Sequence, residues 1–222
     1  MMKLSIKSLC AVACLALSPT LVLAQEAPKL SPFQTAVTLA NDGKFTDAVL
    51  MFTTLAEHHE GPAQFNLSVM ISKGQGTLQN QEDALYWAWR ARFSGVTKAA
   101  DLVKYLIFHT TPEEQENVAT RLRFVYGEAF NSGNIGAAMA LGRTYNETFA
   151  TKDSTAAYQW FSIAAALNIK YANAFREAVA LDLTQEERSV AQKNAKIILN
   201  TWCLNQDTPR PSVCGVMSKL GS

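Results

Sequence analysis

The sequence holds little of what catalytic and metal centres are usually built from. It has three histidines in 222 residues, and no two stand four apart, the spacing that would bring both imidazoles to one ion on a helix face. Glu57-His58-His59-Glu60 therefore reads as a solvated helix end, and His109, beside Thr110-Thr111, as a residue complementing the dipole of a helix C-terminus. No serine sits in a nucleophile-elbow pattern. Gly74-Gln75-Gly76 is followed by no Lys-Ser/Thr and preceded by no strand, which removes a phosphate loop. No catalytic residue, metal site or cofactor is implied. An excess of charge is missing too: 20 basic residues face 19 acidic ones for a formal charge of +1, so there is no bulk electrostatic reason to bind nucleic acid or an anionic membrane. Alternating strand patterns and hairpin turns are also absent, which leaves helix as the regular element.

Long apolar runs are confined to the first 24 residues. Met1 to Lys7 is short and positive, Leu9 to Leu23 is mostly apolar, and Val22-Leu23-Ala24 offers small residues to a signal peptidase. A membrane anchor is the rival reading, but Ser18-Pro19-Thr20 interrupts the stretch, which falls short of the roughly 20 residues a spanning helix needs. Cys14 is a poor lipid-attachment site because too little apolar sequence precedes it. Residues 1–24 are read as a signal peptide cleaved after Ala24, with a periplasmic or secreted destination and no membrane insertion of the mature chain. Removal leaves 222 less 24, or 198 residues, carrying 18 basic and 19 acidic side chains. Cysteine usage agrees. Cys10 and Cys14 leave with the signal, and Cys203 and Cys214 remain as a pair with Pro209 and Pro211 between them, which in an oxidising compartment reads as a disulfide stapling the chain end. A redox-active pair is the alternative, but such pairs usually stand as Cys-x-x-Cys at a helix N-terminus.

What is abundant is helical periodicity, and it is duplicated. Pro32 to Leu39, with Phe33, Val37 and Ala40 on one stripe, stops at Asn41-Asp42-Gly43. Phe45, Ala48, Val49, Phe52 and Leu55-Ala56 then repeat at helical spacing, making a helix hairpin. In the first copy of the duplicated pattern, Ala63, Leu67 and Ser68 open a helix and Gly74-Gln75-Gly76 turns the chain. Ala84, Trp87 and Ala91 line a second helix, and Gly95 and Ala99 close the unit. The second copy runs Ala137, Leu141, Gly142, Ala157, Trp160, Ala164, Asn168 and Ala172. The register continues further: Thr111-Pro112-Glu113-Glu114 and Thr184-Gln185-Glu186-Glu187 both read as a threonine N-cap with acidic residues in the first turn, where the helix dipole favours them. About ten helices follow. The fold is expected to be all-α, a right-handed helical-repeat solenoid of stacked antiparallel pairs, since one pair cannot bury its apolar face without a neighbour.

Ala-x-x-x-Leu-Gly, a Gly-x-Gly turn, Ala-x-x-Trp-x-x-x-Ala, Gly and a final Ala resemble the Sel-one-like repeats, short relatives of tetratricopeptide repeats. Ala63, Leu67, Gly74, Gly76, Ala84, Trp87, Ala91, Gly95 and Ala99 carry the resemblance, with Ser68 for the usual Gly. The second copy keeps Ala137, Leu141, Gly142, Tyr145, Asp153, Ala157, Trp160, Ala164, Ala165 and Ala172, but has Glu147-Thr148-Phe149 near the place of the Gly-x-Gly turn. The hairpin with Gly43, Phe45, Ala48 and Phe52 looks more like a plain tetratricopeptide unit. The resemblance implies a scaffold or adaptor that binds another protein, and for exported bacterial members a role in regulating an envelope process.

The repeated residues have a packing role: small alanines let helices approach closely, and Leu67, Trp87, Leu141 and Trp160 are core positions. The copies differ where the first has Trp89, Arg92 and Phe93 and the second has Ser162, Ala165 and Ala166. Trp and Arg are frequent binding anchors, so Tyr86, Trp89, Arg90 and Arg92 form a candidate contact patch. The competing reading packs Trp89 against the next helix around Val103 and Leu106. Asn66-Leu67-Ser68 and Asn146-Glu147-Thr148 are formal glycosylation sequons within helical units. The organisation expected is a signal peptide at 1–24, an exposed leader at 25–31, a helical-repeat domain at 32–203 and a stapled tail at 204–222. The leading function is an exported, non-enzymatic scaffold for a partner protein of unknown identity. The alternatives are a cell-wall-related hydrolase and a small-ligand or polysaccharide sensor using a pocket between repeats.

Overall fold

The computed structural model describes residues 30–148, 152–206 and 211–220. The proposed signal peptide, most of the leader, and residues 149–151, which include Phe149 of the Glu147-Thr148-Phe149 stretch near the place of Gly-x-Gly, lie outside the described residues. Eleven α-helices and no strand occur among those described: α1 (Pro32–Asn41), α2 (Phe45–Glu57), α3 (Gly61–Lys73), α4 (Gln81–Phe93), α5 (Ala99–Phe108), α6 (Pro112–Asn131), α7 (Ala137–Glu147), α8 (Ser154–Ala166), α9 (Ala172–Ala180), α10 (Gln185–Leu204) and α11 (Ser212–Leu220). Ten match the expected elements, and the eleventh lies in the stretch read as a tail. Each helix from α1 to α4 packs on the next, α6 packs on α7, α7 on α8, and α8 on both α9 and α10.

Local chemistry sets the boundaries. Thr111 and Thr184 are N-caps, each receiving the amide N–H of the glutamate three residues on, Glu114 or Glu187, whose carboxylate accepts the threonine N–H in return. Ser31 and Gln34 form the same reciprocal cap on α1. Asn80 and Asp153 cap α4 and α8 through their side chains. The close of each repeat needs a left-handed residue, which is Gly95 at φ 90° in the first copy and Asn168 at φ 59° in the second, Asn being the residue after Gly that best tolerates this region. Gly76, at φ 79°, lies so close to the backbone of Phe45 that a Cβ would collide with it.

Three apolar clusters run along the molecule. Phe33, Phe52, Leu67 and Met70 anchor the first, α1 to α3. The largest joins α4 to α11 through Leu85, Trp89, Leu122, Phe130, Leu141, Ile163 and Trp202. Phe161, Tyr158, Val179 and Ala191 form a third between α8, α9 and α10. Leu67 and Leu141 are fully buried. Trp87 is half-buried and packs against both of the first two clusters, so it bridges them. Trp160 meets Phe130 edge to face at 5.3 Å, and Phe130 stacks on Trp202 at 5.0 Å.

Candidate functional site

The face proposed from α4 is not a surface. Tyr86, Trp89 and Arg90 are 6%, 5% and 5% exposed, which corrects the expectation of an exposed contact patch there. Trp89 belongs to the same core as Val103 and Leu106, the packing alternative. The reason is position: α4 lies against α3, α5 and α6 at once, so nearly its whole circumference is covered. The Trp89 ring lies 5.5 Å from Phe93, and Phe93 lies 6.1 Å from Tyr126.

Arg92, the fourth member, stays partly exposed and is engaged. Its Nε and a terminal nitrogen donate to Glu147 Oε2 at 3.0 and 2.9 Å, while Arg143 donates to Glu147 Oε1 at 2.7 Å. Arg143 in turn lies 4.5 Å above the Phe93 ring. One carboxylate on α7 thus joins α4 of the first repeat to its own helix. Burial alone pushes the Glu147 carboxyl up, but the hydrogen bonds and charges of Arg143 and Arg92 outweigh it, and the group ionises below the usual carboxylate range. The formal sequon at Asn146 therefore adjoins a structural joint.

Arg90 is a buried cation held by neutral groups. It donates to the Tyr86 hydroxyl at 3.2 Å, approaches His59 Nδ1 at 3.0 Å and lies 4.7 Å over the Trp87 ring. Its Nε has no hydrogen-bond partner. Burial, and then the charges of Arg90 and His58, lower the His59 pKa, so at neutral pH the ring is uncharged and accepts from Arg90. Burial pushes the Tyr126 hydroxyl up to about 12 against the opposing pull of Arg90. Among the described residues no group of three or more His, Cys, Asp and Glu side chains is arranged to hold a metal ion. No described helix is long and apolar enough to cross a membrane.

Open space occurs at several places: about 300 Å³ among α1 to α3 beside Phe45 and Met70, about 500 Å³ beside Tyr86, Arg121 and Phe124, and further cavities toward the C-terminal end. Cys203 and Cys214 are bonded, with Cα atoms 5.4 Å apart, and pin α11 to α10. A cavity of about 580 Å³ lies between these helices, bordered by Cys203, Leu204, Pro211, Cys214 and Met217. A second of about 290 Å³ is walled by Ser162, Ile163, Ala166, Leu199 and Met217. Seventy-three positions earlier, the equivalents of Ser162, Ala166 and Leu199 are Trp89, Phe93 and Tyr126, three rings that fill the same space between α4 and α6. The difference between the copies that suggested a patch on the first marks a hollow in the second. The missed signal was legible: Leu141-Gly142 recurs as Cys214-Gly215 at the register of the duplication.

The Sel1 repeat family model matches residues 61–91 and 135–169. No curated protein matches the chain. Among solved structures, c5321, described as a protective antigen present in uropathogenic Escherichia coli strains displaying an SLR fold, is 17% identical, with a TM-score of 0.27, covering 79% of this chain and 44% of its own. The present chain thus spans less than half of that protein's length. The matched segments begin at the start of α3 and just before α7, and each carries the alanine, leucine and tryptophan positions that close one helix pair. Among the described residues the chain is all-helical, and two of its segments, one over each copy of the duplicated pattern, match the Sel1 repeat.

Proposed function

We propose that the chain is an exported scaffold that holds a partner protein at the groove between α10 and α11 and so acts on a process of the cell envelope. The Sel1 repeats favour a protein-binding role over an enzymatic one, because such arrays present long surfaces rather than one enclosed pocket. The signal-like N-terminus and the Cys203–Cys214 bond favour export, since disulfides persist in oxidising compartments. The observation that carries the binding reading is the groove between α10 and α11, a cavity of about 580 Å³ bordered by Leu204, Pro211, Met217 and the disulfide together with the polar Asn200, Ser212 and Ser218.

Two measurements on cells producing the full chain test this. The protein recovered from the fraction outside the cytoplasm is expected to begin at Gln25 and to keep Cys203 and Cys214 paired in mass spectra taken without reductant. Crosslinking before fractionation is expected to trap it with a small set of other proteins. A full-length, reduced chain in the cytoplasm overturns export, and a chain that crosslinks to nothing overturns the scaffold.

A further inference from the structure

We propose that α11 repeats the register of α7 and that the groove between α10 and α11 takes an amphipathic helix of a partner protein with the same chemistry as α8. This rests on the scaffold reading and names its partner's chemistry.

The argument uses the chain's own duplication as a template. Leu141, Gly142 and Thr144 of α7 recur 73 positions later as Cys214, Gly215 and Met217 of α11, and Phe130 of α6 recurs as Cys203 of α10. The caps that start α6 and α10, Thr111 and Thr184, keep the same interval. The sequence register therefore gives α11 the place after α10 that α7 has after α6, and the Cys203–Cys214 bond ties the two helices. In the complete unit α8 covers α7: a Cβ on Gly142 would run into the Phe161 ring, and Trp160 fits beside Phe130. At the third position the glycine is kept, yet a Cβ on Gly215 meets nothing within 4 Å. The cavity of about 580 Å³ opens beside it, at the cysteine equivalent to Phe130. No described residue covers this face. Val216, the next residue of α11, is 54% exposed.

The template also states what fits. A helix seated like α8 sets one large ring over Gly215 and a tryptophan beside the Cys203–Cys214 bond. It needs small residues one turn to either side, as Ala157 and Ala164 are in α8, to approach closely. This is helix-in-groove recognition, read from anchors at helical spacing.

The test uses a labelled peptide with the sequence of Ser154–Ala166, followed by fluorescence anisotropy against the disulfide-bonded chain. Saturable binding is expected, weakened about tenfold or more when the two peptide positions taken from Trp160 and Phe161 are alanine, the scale of a lost hot-spot ring. Gly215→Leu in the protein fills the slot and is expected to weaken binding about as much, while the better helix former keeps α11 folded; circular dichroism and the intact disulfide check that. Gly215→Ala, a smaller obstruction, is expected to give an intermediate loss. No saturable binding overturns the proposal, as does equal binding to the Gly215→Leu chain, which would mean that the peptide exchanges with α8. A dimer seen by light scattering that excludes the peptide puts a second copy in the groove and also overturns it. If the peptide fails while cellular crosslinks to a partner persist, this inference falls and the scaffold reading stands. A peptide that binds a chain without cellular partners refutes the scaffold reading, and this inference, which rests on it, falls with it.

Discussion

Glu147 holds one carboxylate between two arginines from two helices, and its charge is what the joint depends on. Glu147→Gln leaves two half-buried guanidinium groups around a neutral amide, and a loss of about 1–3 kcal/mol at neutral pH is expected, measured by urea unfolding. The pH dependence has a definite sign. A carboxyl whose folded pKa lies below its ordinary 4.5 contributes stability that is complete above that value and fades as pH falls through the lower folded one. The wild-type chain is therefore expected to lose more stability between neutral and acid pH than Glu147→Gln does; parallel acid titrations of the two would count against the joint. Trp89→Ala is expected to cost about 3–5 kcal/mol, the range for emptying an aromatic core site. Its effect on partner binding should vanish wherever the variant is folded. That outcome was not legible from α4 alone: helical spacing tells which residues share a face, but Ala84, Leu85, Tyr86, Ala88, Trp89, Arg90 and Ala91 are all buried, and only the flanking helices decide that both faces are.

Compensating pairs do at the level of helices what single residues do within them. Gly142 makes room for Phe161, whereas the first copy has Ser68 and Ala88 at those places, and the Ser68 hydroxyl donates to the Ala84 carbonyl at 2.6 Å. Caps, stops and the cysteine pair were readable in the sequence because each is a short-range rule: Thr with Glu three residues on, Gly or Asn after the last turn, two thiols flanking a short proline-containing stretch. Helix α11 had only the long-range signal of the duplication, Cys214-Gly215 at the register of Leu141-Gly142, because locally Pro211 and Ser212 resemble a tail and its partner surface is supplied by α10 from across the disulfide. That bond is expected to matter locally. Replacing Cys203 and Cys214 by serine should lower stability by about 2–3 kcal/mol for so short a loop. In hydrogen exchange the α11 amides should lose protection while those of α6 keep theirs. Full protection of α11 in the double variant would show that packing alone holds it.

Stability in a helical array is close to a sum of neighbour contacts, and the clusters of this chain divide accordingly. Phe52 is 1% exposed and meets Phe33 edge to face at 5.9 Å within the first cluster. Phe52→Ala is expected to open α1 and α2 ahead of the rest, visible as early exchange in those two helices with α6 and α10 still protected. Simultaneous loss everywhere would mean that Trp87 couples the clusters into one cooperative unit. The duplication at a constant interval also gives one consequence in thermal terms. At the α6–α7 joint the equivalent positions, Phe130 and Leu141, are held by buried hydrocarbon, whose contribution rises and falls with temperature because its exposure carries a large heat capacity. At the α10–α11 joint the same two positions carry a covalent bond, which in the chain-entropy account acts by restricting the unfolded chain and has no comparable hydration heat capacity. Cooling toward the freezing point weakens the first kind of joint and leaves the second almost unchanged, so the terminal helix is fastened by the contact least sensitive to cold.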